Sequence, residues 1–409
     1  MSHLSEVESG LVMPKSASFE PQNTADDFKT VRLAESAKSP TFESKRITIG
    51  EQAPRSAIPR SFSTEGLRET AVSPESKGEI VGWILYRDHA PVIASEVEEN
   101  RQFVEEATKA NITLVIMNPD NIDVLVDSER NRSIIVDGQP SPLPDFVLPR
   151  MGSDTTYFAF SVIRQLEKLG VPCLNSSVGI EAVKDKLYAQ QLMVKWNLPV
   201  PDTLLARFPV NVDFVEKTFG FPVIIKTLSG TRGEGVFLAD DRKAFKDLMK
   251  LIEITNTSVN IIIQRFIEDS FGRDLRVFVI GGRVVACMKR QAADEDEFKA
   301  NFSTGGSVER YPLSSEIEWL ALEACRCTGL DIAGVDLLFD KGHFKICEVN
   351  SSPGFIGLQQ ACDINVPAEI YKVCSCHHAY SVSPDPFWTV SVHSSKLCFV
   401  SRASITRTV

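Results

Sequence analysis

Residues 334–339 read GVDLLF and residues 346–354 read ICEVNSSPG. Both runs are apolar enough for buried strands, and Asp340-Lys341-Gly342 between them carries the turn chemistry of a hairpin. In an antiparallel pair Asp336 stands near Glu348, twelve positions on, while Glu348 and Asn350, two apart, point to the same side. Three hard oxygen donors then converge on one face. Magnesium favours such a set, taking one or two carboxylates and completing its shell with water and nucleotide phosphates; manganese is the alternative. A solvated strand face would also explain the polar residues, but the apolar flanks IAGV and LLF and the partly apolar FKIC make an exposed face wasteful.

Upstream, FPVIIKTLSGTRGEGVFL at 221–238 ends a strand on Lys226 and follows it with a loop holding three glycines between Ser229 and Gly235. Such a loop brings backbone N–H groups close to phosphate oxygens, and a lysine ammonium supplies a point charge beside them. It is neither a G-x-x-x-x-G-K-[ST] loop nor a G-x-G-x-x-G turn opening a helix, so by itself it reads equally well as a glycine-rich hairpin. Lys186 precedes this unit on a helix, within reach of phosphate. Gln264-Arg265-Phe266-Ile267 closes the next strand, where backbone groups suit an adenine edge. Arg276, Lys289 and Arg290 put positive charge on the following hairpin strands, where a transferring phosphoryl group needs it.

Around these motifs the chain divides by texture. Residues 1–78 are rich in Ser, Thr, Pro, Glu and Lys with no sustained period, the pattern of a disordered extension. Residues 79–183 read as a β-α-β start, a hairpin at Asp137-Gly138 and a helix ending at Gly170, an α/β domain. A small α+β lid is expected over 184–262, opened by one helix running VGIEAVKDKLYAQQLMVKWN, and a larger α+β platform over 263–373 with a hairpin at Gly281-Gly282. The Ser-rich stretch 374–409 breaks the texture and is expected to be an atypical, mobile tail. Its Cys374, Cys376, His377 and His378 lie too close together to surround zinc without a strained loop.

Composition narrows the partners. A 409-residue chain that is 43% hydrophobic and 24% charged holds a core of two or three domains, and a formal charge of -10 draws it to neither nucleic acid nor an anionic membrane. No apolar run approaches the ~18 residues of a membrane span, and the N-terminus has neither a secretory nor a transit design. Nine scattered cysteines read as reduced thiols, so the expected location is cytoplasmic. The oligomeric state stays open.

Taken in order, PRMGSDTTYFAFSVIRQLEKLGVPCLNSS, DKLYAQQLM, IIKTLSGTRGEGVFL, QRFIEDSFGRDLRVFVIGGRVVACMKR, NFSTGGSVERYPLS, AGVDLLF and EVNSSPGFIGLQQACDINV resemble the RimK-type ATP-grasp ligases across about residues 80–373. The resemblance implies an ATP-grasp fold, lid plus platform, behind a pre-ATP-grasp α/β domain. It implies an ATP-dependent ligase joining a carboxylate to an amine through an acylphosphate, with glutamate as the amino acid and a protein C-terminus or a small carboxylate as acceptor. By the family pattern Lys226 and Lys186 bind phosphate, residues 265–266 form the adenine hinge, Asp274, Lys299 and Asn301 contact the nucleotide, and Asp336, Glu348 and Asn350 bind magnesium. Arg290 is expected to hold the substrate carboxylate or the acylphosphate, because a guanidinium fork matches both. Two positions depart from the pattern: Arg265 replaces a usual acid, and Lys299 a usual arginine. The competing expectation is a nucleotide-binding interaction module without ligase turnover, kept open by Arg265 and the unusual tail.

Overall fold

The computed structural model describes residues 80–87, 94–126, 134–228, 235–255, 260–300, 305–382, 388–393 and 396–401. The expected disordered extension 1–78, most of the glycine-rich loop and Asn301 lie outside the described residues.

The described chain opens with β1 (Ile80–Leu85), α1 (Ala94–Lys109) and β2 (Ile112–Met117). A small antiparallel sheet of β3 (Ile122–Val124), β4 (Ile134–Val136) and β5 (Gln139–Pro140) follows, then β6 (Phe146–Pro149), which joins the parallel sheet in the order β2-β1-β6. The β4–β5 turn is Asp137-Gly138 as expected, both at positive φ. α2 (Tyr157–Lys168) is capped by Thr156, whose hydroxyl accepts from the Ala159 N–H, and gives way to Gly170 at φ 88°.

The single helix expected before the lid is two: α3 (Ser177–Lys184) and α4 (Lys186–Lys195). The break is at Asp185, whose extended backbone lets its carboxylate accept from the Leu187 and Tyr188 N–H groups and start a new helix. The lid contains β7 (Thr203–Ala206), α5 (Val212–Phe219), β8 (Val223–Thr227), β9 (Val236–Ala239), α6 (Arg242–Thr255) and β10 (Ile261–Arg265). Its four strands are antiparallel in the order β7-β10-β8-β9. Val223, Ile225, Ile261 and Ile263 bury one face against Val215, Phe219, Phe245 and Met249 of α5 and α6.

The platform contains β11 (Arg273–Ile280), β12 (Arg283–Gln291), β13 (Ser307–Arg310), α7 (Ser315–Thr328), β14 (Ile332–Asp340) and β15 (His343–Asn350), forming an antiparallel sheet in the order β13-β12-β11-β14-β15. Strand alternation divides its faces. Leu275, Val277, Val335, Leu337 and Ile346 pack on α7, while Phe278, Ile280, Met288 and Ile332 share a core with Ile84, Phe103 and Phe146 of the N-terminal elements. That second face is apolar at one end and charged at the other, where Asp274, Arg276, Arg290, Asp336, Glu348 and Asn350 lie.

α8 (Ile356–Cys362) and α9 (Val366–Val382) then return to the N-terminal elements, followed by the two-stranded antiparallel sheet β16 (Trp388–His393) and β17 (Lys396–Ser401). The textural break expected at Cys374 therefore falls inside a helix. Cys374 is fully buried beside Tyr371, whose hydroxyl donates to the Phe103 carbonyl. The side chains of Cys376, His377 and His378 lie outside the described residues. The seven described cysteines are free thiols, and no helix among the described residues is long and apolar enough to cross a membrane.

Candidate active site

The β14–β15 hairpin turns at Lys341-Gly342, both at positive φ, with Asp340 paired to His343. Counting on from that turn without interruption would set Cys347 opposite Asp336 and rotate Glu348 to the α7 side. The strand avoids this with a β-bulge: Leu337 pairs with Ile346, Asp336 with Glu348 and Gly334 with Asn350, leaving Cys347 unpaired. Ile346 thus enters the α7 core while Glu348, only two residues on, joins Asp336 on the charged face. Two contacts hold β15 along its outer edge. The Ile346 N–H donates to the Pro199 carbonyl at 2.8 Å, and Gln190 Nε2 on α4 donates to the Cys347 carbonyl at 3.0 Å.

Across the strands the charges alternate. Arg276 Nε and Nη2 donate to the two oxygens of Asp336, both at 2.8 Å, and Arg290 Nη2 reaches Asp336 Oδ2 at 3.0 Å. Arg290 also donates through Nε and Nη2 to both oxygens of Asp274, at 2.7 and 2.6 Å. Burial raises the proton affinity of both carboxylates, and the outcome depends on their cations. Asp336, between two guanidiniums, ends below the usual carboxylate range; Asp274, with Arg290 as its main partner and Asp336 nearby, ends above it. Arg290 is desolvated but held cationic by the pair of acids.

Glu348 makes no hydrogen bond or ion pair among the described residues. Asn350 Nδ2 leans on the Gly334 carbonyl and Asp336 Oδ2 at 3.3 and 3.4 Å, leaving its carbonyl oxygen for another partner. Gly334 allows this crowding, since a Cβ there would lie 2.7 Å from Pro353 and 3.5 Å from Arg276 Nε. From the lid, Lys226 Nζ stands 3.7 Å from Cys347 Sγ, so the lid lysine and the donor strand meet. Burial raises the Cys347 thiol above its ordinary value, with Lys226 opposing.

The donor set suits magnesium. Among the described residues no three His, Cys, Asp or Glu side chains are placed to hold a metal. Two carboxylates and a carboxamide, one carboxylate shared with arginines, match a cation that takes its remaining ligands from water and phosphate rather than from a protein cage.

Several expectations change. Arg290 does not present an open fork: its side chain is 7% exposed and its fork is on Asp274. Asp274 correspondingly turns both oxygens to Arg290 instead of outward. Lys289 lies on the opposite side of β12 from Arg290 and pairs with Glu309. The Arg265 guanidinium points to α5, donating to the Thr218 and Phe219 carbonyls and to Asp202, and its N–H is taken by the Asp202 carbonyl. Arginine at this position therefore caps a helix C-terminus, which the helix dipole favours. The Phe266 ring sets its edge on Phe271. Lys186 is the first residue of α4, half-buried, and Lys299 is half-buried with its ammonium 5.4 Å from the Phe298 ring centre. The partnership of Arg276 with Asp336, and the contacts of Gln190 and Cys347, carried no signal in the sequence.

Residues 183–374 match the RimK-like ATP-grasp domain and residues 92–180 the RimK pre-ATP-grasp domain. A probable alpha-L-glutamate ligase 1 of Shewanella amazonensis is 38% identical over 276 residues, spanning 67% of this chain and 90% of that protein. The chain belongs to the RimK-like ATP-grasp family. A probable alpha-L-glutamate ligase of Legionella pneumophila is 36% identical over 274 residues, again 67% of this chain and 90% of the relative. In fold, the chain resembles the ATP-grasp ligase PsnB complexed with minimal precursor, Mg and ADP (TM-score 0.56, 17% identity, 73% of this chain and 98% of that one). It also resembles D-alanine–D-alanine ligase from Bacillus anthracis complexed with ATP (TM-score 0.54, 16% identity, 75% and 98%). The ATP-grasp fold and the pre-ATP-grasp domain are those expected, and membership of this family makes the chain an ATP-dependent ligase forming a carbon–nitrogen bond; it does not favour the reading as an interaction module.

Proposed function

We propose that this ligase joins the amine of glutamate to a carboxylate, that of a protein C-terminus or a small acid, in a magnesium-dependent reaction in the cytoplasm. The observation that carries the reading is the alignment of Asp336, Glu348 and Asn350 on one sheet face beside a lid lysine. The relatives named alpha-L-glutamate ligases support glutamate, the PsnB complex with a precursor peptide supports a peptide acceptor, and the free thiols fit a reducing compartment.

A carboxylate is a poor electrophile and has to be activated. An oxygen of the acceptor carboxylate attacks the γ-phosphorus of ATP, ADP leaves, and an acylphosphate forms. The glutamate nitrogen then attacks the acyl carbon and inorganic phosphate departs. Asp336, Glu348 and Asn350 would hold magnesium, which neutralises phosphate charge when bound. Lys226 adds positive charge from the lid side. Arg276 and Arg290 hold Asp336 in place and keep its carboxylate ionised, and Asp274 keeps Arg290 oriented. Lys186, the hinge backbone at Arg265 and Phe266, Lys299 and Asn301 are assigned to the nucleotide on the family pattern.

The test is intact-mass analysis of candidate peptides and small acids after incubation with ATP, magnesium and glutamate. The expected result is addition of glutamyl residues with matching ADP release. ADP release that ignores both acceptor and glutamate would remove the reading.

A further inference from the structure

We propose that Gln190 is a positioning residue for the reaction, holding the bulge at Cys347 and thereby the register that sets Glu348 against Asp336. The inference rests on the magnesium reading above.

Three observations converge on it. The first is the bulge itself, which leaves Cys347 outside the β14–β15 ladder, so that its carbonyl has no strand partner on that side. The second is that Gln190 Nε2, coming from α4, takes that carbonyl at 3.0 Å; with the Ile346 N–H on Pro199, the bulged edge is gripped immediately before and at the extra residue. The third is the other half of the same side chain. Gln190 is 5% exposed, and its Oε1 is the one buried side-chain nitrogen or oxygen without a hydrogen-bond partner among the described residues.

A buried acceptor without a partner carries a desolvation cost, and an apolar side chain of the same length would avoid it. Ala189 and Met193, its neighbours on α4, are indeed part of the α7-side core. Stability by itself therefore favours the amide little over an apolar residue at 190, since the replacement removes one orphaned acceptor at Gln190 and leaves another at the Cys347 carbonyl. What the amide supplies instead is a donor for the extra carbonyl. Without it the extra residue is free to migrate along β15, and a slip of one position carries Glu348 to the other face of the sheet.

The experiment measures ADP release by the full chain as a function of magnesium at fixed ATP, together with the melting temperature. The variants are Gln190→Met, Gln190→Glu and, in parallel, Glu348→Gln. Gln190→Met fills the same volume with no donor; Gln190→Glu keeps the shape and presents an acceptor to an acceptor. The expected result is at least a roughly fivefold rise in the magnesium needed for half-maximal rate in the folded fraction of both variants, with a melting temperature close to wild type for Gln190→Met and a lower one for Gln190→Glu, which sets a carboxylate against a buried carbonyl. A merely structural residue would lower the melting temperature and leave that magnesium requirement unchanged in the folded fraction. An unchanged requirement overturns the proposal. Failure of both variants to fold also counts against it, because it makes the amide indispensable for stability. If Glu348→Gln leaves the magnesium dependence untouched, the metal reading fails; if Glu348→Gln shifts it and the Gln190 variants do not, only the role of Gln190 fails.

Discussion

Asp336→Asn and Glu348→Gln each remove one carboxylate charge at nearly constant volume, yet the two residues have different surroundings. Asp336 is 7% exposed and accepts three short bonds from two guanidiniums, themselves 16% and 7% exposed. Breaking a buried pair by neutralising one partner costs about 3–5 kcal/mol, since the remaining charge is left uncompensated. In Asp336→Asn the lone Asp274 must serve two arginines, so the full range applies and the loss is a large part of a total stability on the order of 5–15 kcal/mol. Glu348 pairs with nothing among the described residues, and Glu348→Gln should change stability by less than about 0.5 kcal/mol. Both should reduce magnesium-dependent turnover by about 10²–10³ or more, the scale of losing an electrostatic contact to the reacting phosphates. Urea unfolding of the two variants, beside ADP release against magnesium, checks the contrast. Equal destabilisation would refute the network drawn around Asp336, and wild-type turnover in Glu348→Gln would remove that residue from the metal site.

Three further outcomes are expected. Asn175 donates to the Ile332 and Ser351 carbonyls at 2.7 Å and accepts from the Asp331 and Ile332 N–H groups at 2.8 Å, all beside β14 and Asn350; Asn175→Leu should cost about 3–6 kcal/mol in urea unfolding at ~1–3 kcal/mol per orphaned group, less what the strands recover, and a loss under about 1 kcal/mol would contradict it. Arg265→Glu should destabilise the lid by about 1–2 kcal/mol, read by hydrogen exchange in α5, because it sets a carboxylate against the Thr218 and Phe219 carbonyls; ATP affinity should stay near wild type, since the lost guanidinium faces the helix. Glu369 is partly buried, but Lys372 and Arg283 hold its pKa below the ordinary carboxylate value. A depressed pKa contributes stability above the unfolded value and loses it as pH falls through the folded one, so Glu369→Gln should cost about 0.5–1 kcal/mol at neutral pH and nothing in strong acid; a pH-independent difference in melting would contradict that assignment.

Local features were legible because their causes are local. The hairpins at Asp137-Gly138, Gly281-Gly282 and Lys341-Gly342 follow from residues that accept positive φ, and each is present. The nearly continuous apolar runs of β11 and β14 follow from burial of both faces, and the resemblance to the RimK family follows from motifs distributed along most of the described chain. The change of texture at Cys374 falls inside a helix for a different reason: α9 buries Tyr371 and Cys374 against elements at Phe103 and Phe146, so its pattern reflects a surface far away in the chain.

The residue types of the candidate site were determined by the sequence alone, since hard oxygen donors and a lid lysine are chemical facts of positions 226, 336, 348 and 350. Their working arrangement was not. Turn geometry by itself sets Cys347 opposite Asp336, and only the bulge, held from the outside by α4, moves Glu348 into place. Likewise nothing near Arg290 or Arg276 in the chain says which carboxylate each will grip. Asp336 meets Arg276 because β14 lies beside β11, sixty residues away, and long-range strand pairing decides which opposite charges are buried together.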